Sequence, residues 1–177
     1  MQESPLKIQK KFLEFSHITY YNSPLGNTEI IGDENGIQSI KILEKDEPIN
    51  KLEMIGETPK VIKDCISQLQ EYFDGTREEF DLKLNPKGTS FQKKVWRELL
   101  NIPFGKTRSY LDQSKKLGDP KAIRAVASAN GKNPLWIVIP CHRIIGSDGS
   151  LTGYAGGLWC KQWLLNHESV NKQQSLF

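Results

Sequence analysis

The sequence predicts an α+β protein in which a small sheet-bearing unit precedes a mostly helical one. Three observations carry this. Residues 12–44 alternate apolar and polar positions around turn formers. Residues 59–75 and 89–100 repeat apolar side chains at three- and four-residue spacing, the period of an amphipathic helix. Two short helical stretches flank Gly118-Asp119-Pro120, which gives a helix-turn-helix pattern.

The elements follow in order. His17 to Tyr21 reads as a strand, Asn22-Ser23-Pro24-Leu25-Gly26 as a turn, and Asn27 to Ile31 as a second strand. Asn35-Gly36 then introduces a third strand, Ile37 to Leu43; both residue types accept the positive φ of a tight hairpin. Residues 44–58 are polar and read as loop. From Pro59, the side chains Val61, Ile62, Cys65, Ile66, Leu69, Tyr72 and Phe73 share one helical face, and Asp74-Gly75 ends the helix. Cys65 lies on that face and reads as core. Phe80, Leu82 and Leu84 alternate as a last short strand, and Asn85-Pro86-Lys87-Gly88 as a linker. The domain boundaries expected are therefore 1–85, 86–170 and a flexible tail, 171–177. Nothing in the first domain suggests chemistry.

Thr89 or Ser90 caps the next helix, whose expected buried stripe is Phe91, Val95, Trp96, Leu99 and Leu100. Ile102-Pro103-Phe104-Gly105 ends it. Ser109 to Leu117 and Lys121 to Asn130 are the two helices of the helix-turn-helix, with Pro120 suited to a helix start. The second is rich in small residues (Ala122, Ala125, Ala127, Ser128 and Ala129), which let a backbone approach a narrow surface closely. A final helix runs from Leu158 to about His167; Cys160 within it is given no role.

Composition narrows the class. Hydrophobic residues are 37% and charged residues 25% of 177, ordinary for a soluble protein. A net charge of +3 is compatible with a nucleic-acid partner without proving one. Cys65, Cys141 and Cys160 are an odd count without CxxC spacing, which argues against a disulfide framework or zinc knuckle and for a reducing compartment. The polar start, Met1 to Lys11, lacks the apolar core of a signal peptide, and no stretch is long enough to span a membrane. A cytoplasmic setting is expected.

One stretch organises the chain: Asn133-Pro134-Leu135-Trp136-Ile137-Val138-Ile139-Pro140-Cys141-His142-Arg143. The apolar run reads as a buried strand or extended segment, and Pro140 breaks it so that Cys141 falls at its exit. A thiol followed by histidine and arginine sits in an electropositive setting that favours thiolate, the reactive form. Cysteine alone is as readily inert core; the surrounding string decides otherwise. Pro-Cys-His-Arg after Ile-Val-Ile, with Asn133 upstream and Gly153-Tyr154-Ala155-Gly156-Gly157 downstream, resembles the O6-alkylguanine-DNA alkyltransferases (methylated-DNA–protein-cysteine methyltransferases). The resemblance is dense from Asn85 to Glu168 and loose before it.

That resemblance implies a ribonuclease H-like first domain and direct reversal of alkylation damage. A Cys141 thiolate takes the alkyl group from guanine O6, with O4-alkylthymine as a second candidate substrate. The thioether product has no good leaving group, so each molecule acts once. In the family a water links the cysteine to the histidine, here His142, and a glutamate orients that histidine; the matching position is Glu168, which by itself reads as a solvated carboxylate. Asn133 matches the residue bracing the active-site turn, and Tyr110 the tyrosine donating to the purine ring as negative charge develops. The backbone of Tyr154 and Ala155 matches the loop over the flipped base, with alanine where relatives have serine. The carbonyls of Cys141 and Ile144 match the readers of the exocyclic amine. Arg124, by spacing an ordinary surface arginine, matches the residue that fills the vacated stack. Ala125, on the helix that enters the minor groove in the family, and Ser109, beside Tyr110, belong to the same DNA-facing set. No cofactor is implied. Some relatives carry zinc near the N-terminus; the first 60 residues here have no cysteine, so no metal is expected.

The partner expected is duplex DNA, bound by a nucleoid-associated monomer. The ending Gln173-Gln174-Ser175-Leu176-Phe177 resembles the short peptide by which bacterial repair proteins dock on the sliding clamp, with Gln173, Leu176 and Phe177 as its anchors; the plain alternative is a frayed terminus. Two competing functions remain beside repair. A cysteine hydrolase would need an oxyanion hole, and its histidine is normally distant in sequence. A non-catalytic lesion sensor is disfavoured by Cys141, which such relatives lack.

Overall fold

In the computed structural model, which describes residues 16–47, 49 and 57–174, three antiparallel strands open the chain as a meander: β1 (His17–Ser23), β2 (Gly26–Asp33) and β3 (Gly36–Ile42). Thr19 stands opposite Ile30, and Ile30 opposite Ile40. Alternate residues of β2 (Thr28, Ile30, Gly32) face inward, as the period of a half-buried strand requires. Helix α1 (Lys60–Phe73) covers that face with Ile62, Cys65, Leu69 and Tyr72, all fully buried. Burying an Ile or Leu side chain contributes about 1.5–3 kcal/mol, so this stripe is what holds helix to sheet.

The free edge of β3 is used twice. Ile37 pairs with Leu84 and Ile40 with Leu135, each as a single parallel bridge. The strand expected at 80–84 is thus reduced to one bridged residue. Gly36 permits it: a Cβ there would lie 2.6 Å from the Lys83 carbonyl oxygen. Through Ile40 the same edge grips the organising stretch, with Ile40 N–H donating to Pro134 O at 2.8 Å and Trp136 N–H donating to Ile40 O at 3.1 Å.

Helix α2 (Ser90–Leu99) begins with a complete capping box between Thr89 and Gln92. Val95, Trp96 and Leu99 are buried, whereas Phe91 and Leu100 are exposed, which narrows the expected stripe. A two-residue strand, β4 (Arg108–Ser109), leads into α3 (Tyr110–Lys116); after a 3₁₀ turn, Pro120–Ala122, comes α4 (Ile123–Gly131). Gln113 and Asn130 join α3 to α4 by reciprocal buried amide hydrogen bonds of 3.2 and 2.7 Å. The helix-turn-helix is present as the sequence indicates.

The apolar run is the main departure. It is not a strand: beyond the Leu135 bridge it folds into consecutive tight turns, with Val138 N–H donating to Trp136 O and Ile139 N–H to Leu135 O. Ile137 sits at φ 72°, a left-handed conformation that costs a β-branched residue about 1–3 kcal/mol and persists only where the surroundings enforce it. Cys141–Arg143 form a 3₁₀ turn, and β5 (Ile144–Ile145) then pairs in parallel with β4, Arg108 opposite Ile144. The last helix, α5 (Leu158–Gln174), extends past the expected end near His167 and includes residues assigned to a flexible tail. Among the described residues no helix is long and apolar enough to cross a membrane.

Candidate active site

Cys141 faces a cavity of about 600 Å³ whose lining includes Tyr110, Arg124, Trp136, Tyr154 and Ala155. Three segments bring these together. The β4–β5 pairing sets Tyr110 beside the residues that follow Cys141. The reciprocal Gln113–Asn130 pair fixes α4, and with it Arg124, at the cavity mouth. A ring contact of 5.7 Å holds Tyr154 on Trp136.

Asn133 ties the turn to the sulfur. Its Oδ1 accepts from Leu135 N–H at 2.9 Å; its Nδ2 donates to Ile139 O at 2.8 Å and to Cys141 Sγ at 3.2 Å. It is 3% exposed, so these bonds are made away from competing water. These bonds close the turn in which Ile137 is held in its left-handed conformation.

Behind the thiol, His142 Nε2 lies 2.7 Å from Glu168 Oε1, with both side chains fully buried. Arg143 donates to the same carboxylate, Nε to Oε2 at 2.9 Å and Nη2 to Oε1 at 3.0 Å, and from Nη1 to Ile102 O at 2.6 Å. Tyr72 OH adds a bond of 2.9 Å to Oε1, and Gly105 N–H one of 3.1 Å to Oε2. Burial alone would push the Glu168 carboxyl up, but His142 and Arg143 outweigh it and hold it well below the usual carboxylate range. Glu168 is therefore ionised and can only accept, so His142 carries its proton on Nε2. Burial, helped by the charges of Arg143 and Lys161, lowers the His142 pKa against the pull of Glu168. The imidazole is neutral, and Nδ1, buried and without a hydrogen-bond partner among the described residues, is free to accept a proton.

The electropositive setting expected for the thiol is not what the structure shows. Arg143 turns to Glu168, His142 is uncharged, and burial pushes the Cys141 thiol up despite the lowering by the Asn133 hydrogen bond and by Lys161. At neutral pH it rests as a thiol. His142 and Cys141 also sit on a 3₁₀ turn rather than an extended segment, so the opposite-face geometry of a strand does not apply.

The other expected residues divide. Tyr110 is at the cavity, its hydroxyl donating to Thr152 O at 3.3 Å. Arg124 and Ala125 are exposed, and Arg124 makes no hydrogen bond or ion pair among the described residues. Ile144 is fully buried, and its N–H donates to Cys141 O. Ser109 caps α3, accepting from Asp112 N–H at 3.0 Å and donating to Asp112 Oδ2 at 2.7 Å, so its hydroxyl is occupied by the helix. Gln173 lies in α5; Leu176 and Phe177 fall outside the described residues.

Sequence reasoning missed three contributors. Tyr72 reads as a core aromatic. Arg143 was assigned to the thiol rather than to Glu168. Lys161 is fully buried, donates from Nζ to Thr152 O at 3.0 Å, and stands 5.8 Å from the Tyr110 ring centroid. A lysine three residues before Leu164 and seven before Glu168, on the buried face of α5, is the available signal.

The chain is similar to known proteins of one family over most of its length. The family model described as 6-O-methylguanine DNA methyltransferase, DNA binding domain, matches residues 90–170, and that described as its ribonuclease-like domain matches 17–86. A methylated-DNA–protein-cysteine methyltransferase of Methanosarcina barkeri is 46% identical over 155 residues, covering 86% of this chain and 98% of that protein. The crystal structure of the Mycobacterium tuberculosis O6-methylguanine methyltransferase superposes with TM-score 0.78 at 39% identity, covering 89% of this chain and 94% of its own. The same M. tuberculosis protein in complex with DNA also matches at TM-score 0.78 and 39% identity, covering 88% and 94%.

Proposed function

The chain belongs to the 6-O-methylguanine DNA methyltransferase family, and from that premise we infer that it repairs DNA by moving the alkyl group from guanine O6 to its own Cys141. The observation that supports the assignment of roles is that Cys141, which lines the cavity, is held by Asn133 and is followed directly by His142, itself bonded to Glu168. His142 Nδ1 takes the S–H proton, by way of a water as the resemblance implies. The sulfur–carbon bond forms as the carbon–O6 bond breaks, and the electron pair stays on the guanine. Thiol plus O6-alkylguanine thus becomes thioether plus guanine once the purine regains a proton. Nε2–H, turned to an ionised carboxylate, stabilises the imidazolium formed in the first step.

Tyr110 donates to the purine as it gains charge, Asn133 holds the sulfur in place, and the backbone at Tyr154 and Ala155 covers the flipped base. The Cys141 and Ile144 carbonyls read its amine. Arg124, exposed at the mouth and unpaired among the described residues, fills the stack left behind; Ala125 and the Ser109 turn lie against the duplex. Flipping costs a few kcal/mol, which Arg124 offsets in part.

We extend the reading to a reducing, cytoplasmic setting, which three cysteines without a disulfide support, and, on the expected DNA partner, to a nucleoid-associated monomer. Gln173, Leu176 and Phe177 are read as a docking peptide for a bacterial sliding clamp, on the sequence alone. Deleting residues 173–177 with no change in clamp affinity overturns that part.

The central test is peptide mass spectrometry after mixing the protein with an oligonucleotide containing O6-methylguanine. One methyl on the Cys141 peptide, saturating at one equivalent, is the expected outcome. Tight binding with Cys141 unmodified points instead to a lesion sensor.

A further inference from the structure

The first domain, which by sequence carries no chemistry, reaches the catalytic carboxylate. We propose that Tyr72 is a positioning residue for alkyl transfer: its hydroxyl sets how much negative charge Glu168 presents to His142, so the sheet-bearing unit tunes the base. The proposal rests on the reading of His142 as that base.

Glu168 Oε1 receives three donors, His142 Nε2 at 2.7 Å, Tyr72 OH at 2.9 Å and Arg143 Nη2 at 3.0 Å. A carboxylate oxygen has two in-plane lone pairs, so these donors compete for the same charge. Arg143 has Oε2 and the Ile102 carbonyl as further acceptors. Among the described residues, Tyr72 OH has Oε1 alone as its acceptor. Its orientation is fixed: the ring is fully buried, with centroids of Phe73, Phe80, Phe104 and His167 between 5.1 and 6.1 Å away. The backbone at Tyr72 is anchored too, because His167 Nε2 lies 2.7 Å from the Tyr72 carbonyl oxygen, and a carbonyl only accepts.

The first domain therefore holds both halves of the His–Glu pair. The β3 edge grips the turn leading to Cys141 and His142 through Ile40, Pro134 and Trp136. Helix α1 grips the Glu168 end of α5 through Tyr72. Any shift of the first domain would change the distance across which Glu168 meets His142.

Removing a hydroxyl that merely satisfies a buried carboxylate would lower stability and nothing else, so pH dependence is the deciding readout. Tyr72→Phe keeps the ring and removes the competing donor. Charge on Oε1 then falls more fully to Nε2–H, the imidazolium is favoured, and His142 is protonated at higher pH. The acid limb of the single-turnover transfer rate is expected to move up by about half a pH unit, so that slowing approaches about threefold only well below the midpoint of that limb, with little change at pH 8. A profile that overlays the wild type, or a loss equal at every pH, overturns the proposal. Should Y72F fail to fold, 3-fluorotyrosine at position 72 serves instead. It strengthens the phenol as a donor and is expected to shift the limb to lower pH; no shift overturns the proposal. His142→Gln separates the two levels. If H142Q transfers normally, the base assignment has failed. If it abolishes transfer while Y72F leaves the profile unmoved, only the role of Tyr72 has failed.

Discussion

Asn133 decides more than its size suggests. One amide satisfies Leu135 N–H, Ile139 O and the Cys141 sulfur, and so closes the turn in which Ile137 is held left-handed. Asn133→Ala leaves buried backbone groups unpaired, at a cost of about 1–3 kcal/mol for each such group. We expect a lowered urea midpoint together with slower methyl transfer, because the sulfur loses its anchor. Destabilisation without loss of transfer rate would separate the turn from the chemistry. The residue scale also shows where the sequence spoke plainly. Cys141 and Asn133 are singled out by the resemblance of the string that contains both, and the bond between them spans only eight residues. Glu168 is legible by resemblance only: its spacing describes a helix-end carboxylate, and the five donors around it come from Tyr72, Gly105, His142 and Arg143, far apart in sequence.

At the scale of elements, periodicity located α1, α2 and the helix-turn-helix correctly because each buries one stripe of its own residues. It failed over Ile137-Val138-Ile139, where an apolar, β-branched run meets the composition of a strand. Asn133 and the β3 edge override that preference, and no local pattern reports either. It also failed for Phe91 and Leu100, since spacing defines a face without saying how wide a neighbour will cover it. The helix-turn-helix gives the clearest test of an element. Its second helix, α4, displays Arg124 at the cavity mouth. Arg124→Ala is expected to slow transfer from duplex DNA by about 10–100-fold, in keeping with an unstacking cost of a few kcal/mol. Transfer from free O6-benzylguanine, which needs no flipping, should stay near the wild-type rate. Equal losses on both substrates would assign Arg124 to the pocket instead.

For the whole molecule, Glu168 is a joint between the two domains, and its ionisation couples their docking to pH. Its folded pKa is held below the unfolded value of about 4.3. The stability it contributes is therefore complete above that value and is lost as pH falls below it. Glu168→Gln is expected to cost about 3–5 kcal/mol at pH 7, as when one partner of a buried ion pair is removed. The difference from wild type in urea unfolding should shrink as pH drops below 4; a gap constant across pH would mean the carboxylate is not ionised in the fold. The neutral resting state of Cys141 has a consequence of another kind, in time rather than energy. A protein that reacts once must wait, intact, for a lesion that is rare. A thiol kept protonated and nearly enclosed is a poor target for peroxide or stray electrophiles dissolved in the cell. On the proposed role of His142 as the base, reactivity is confined to the encounter with a base in the pocket, so the stock of unused molecules ages slowly.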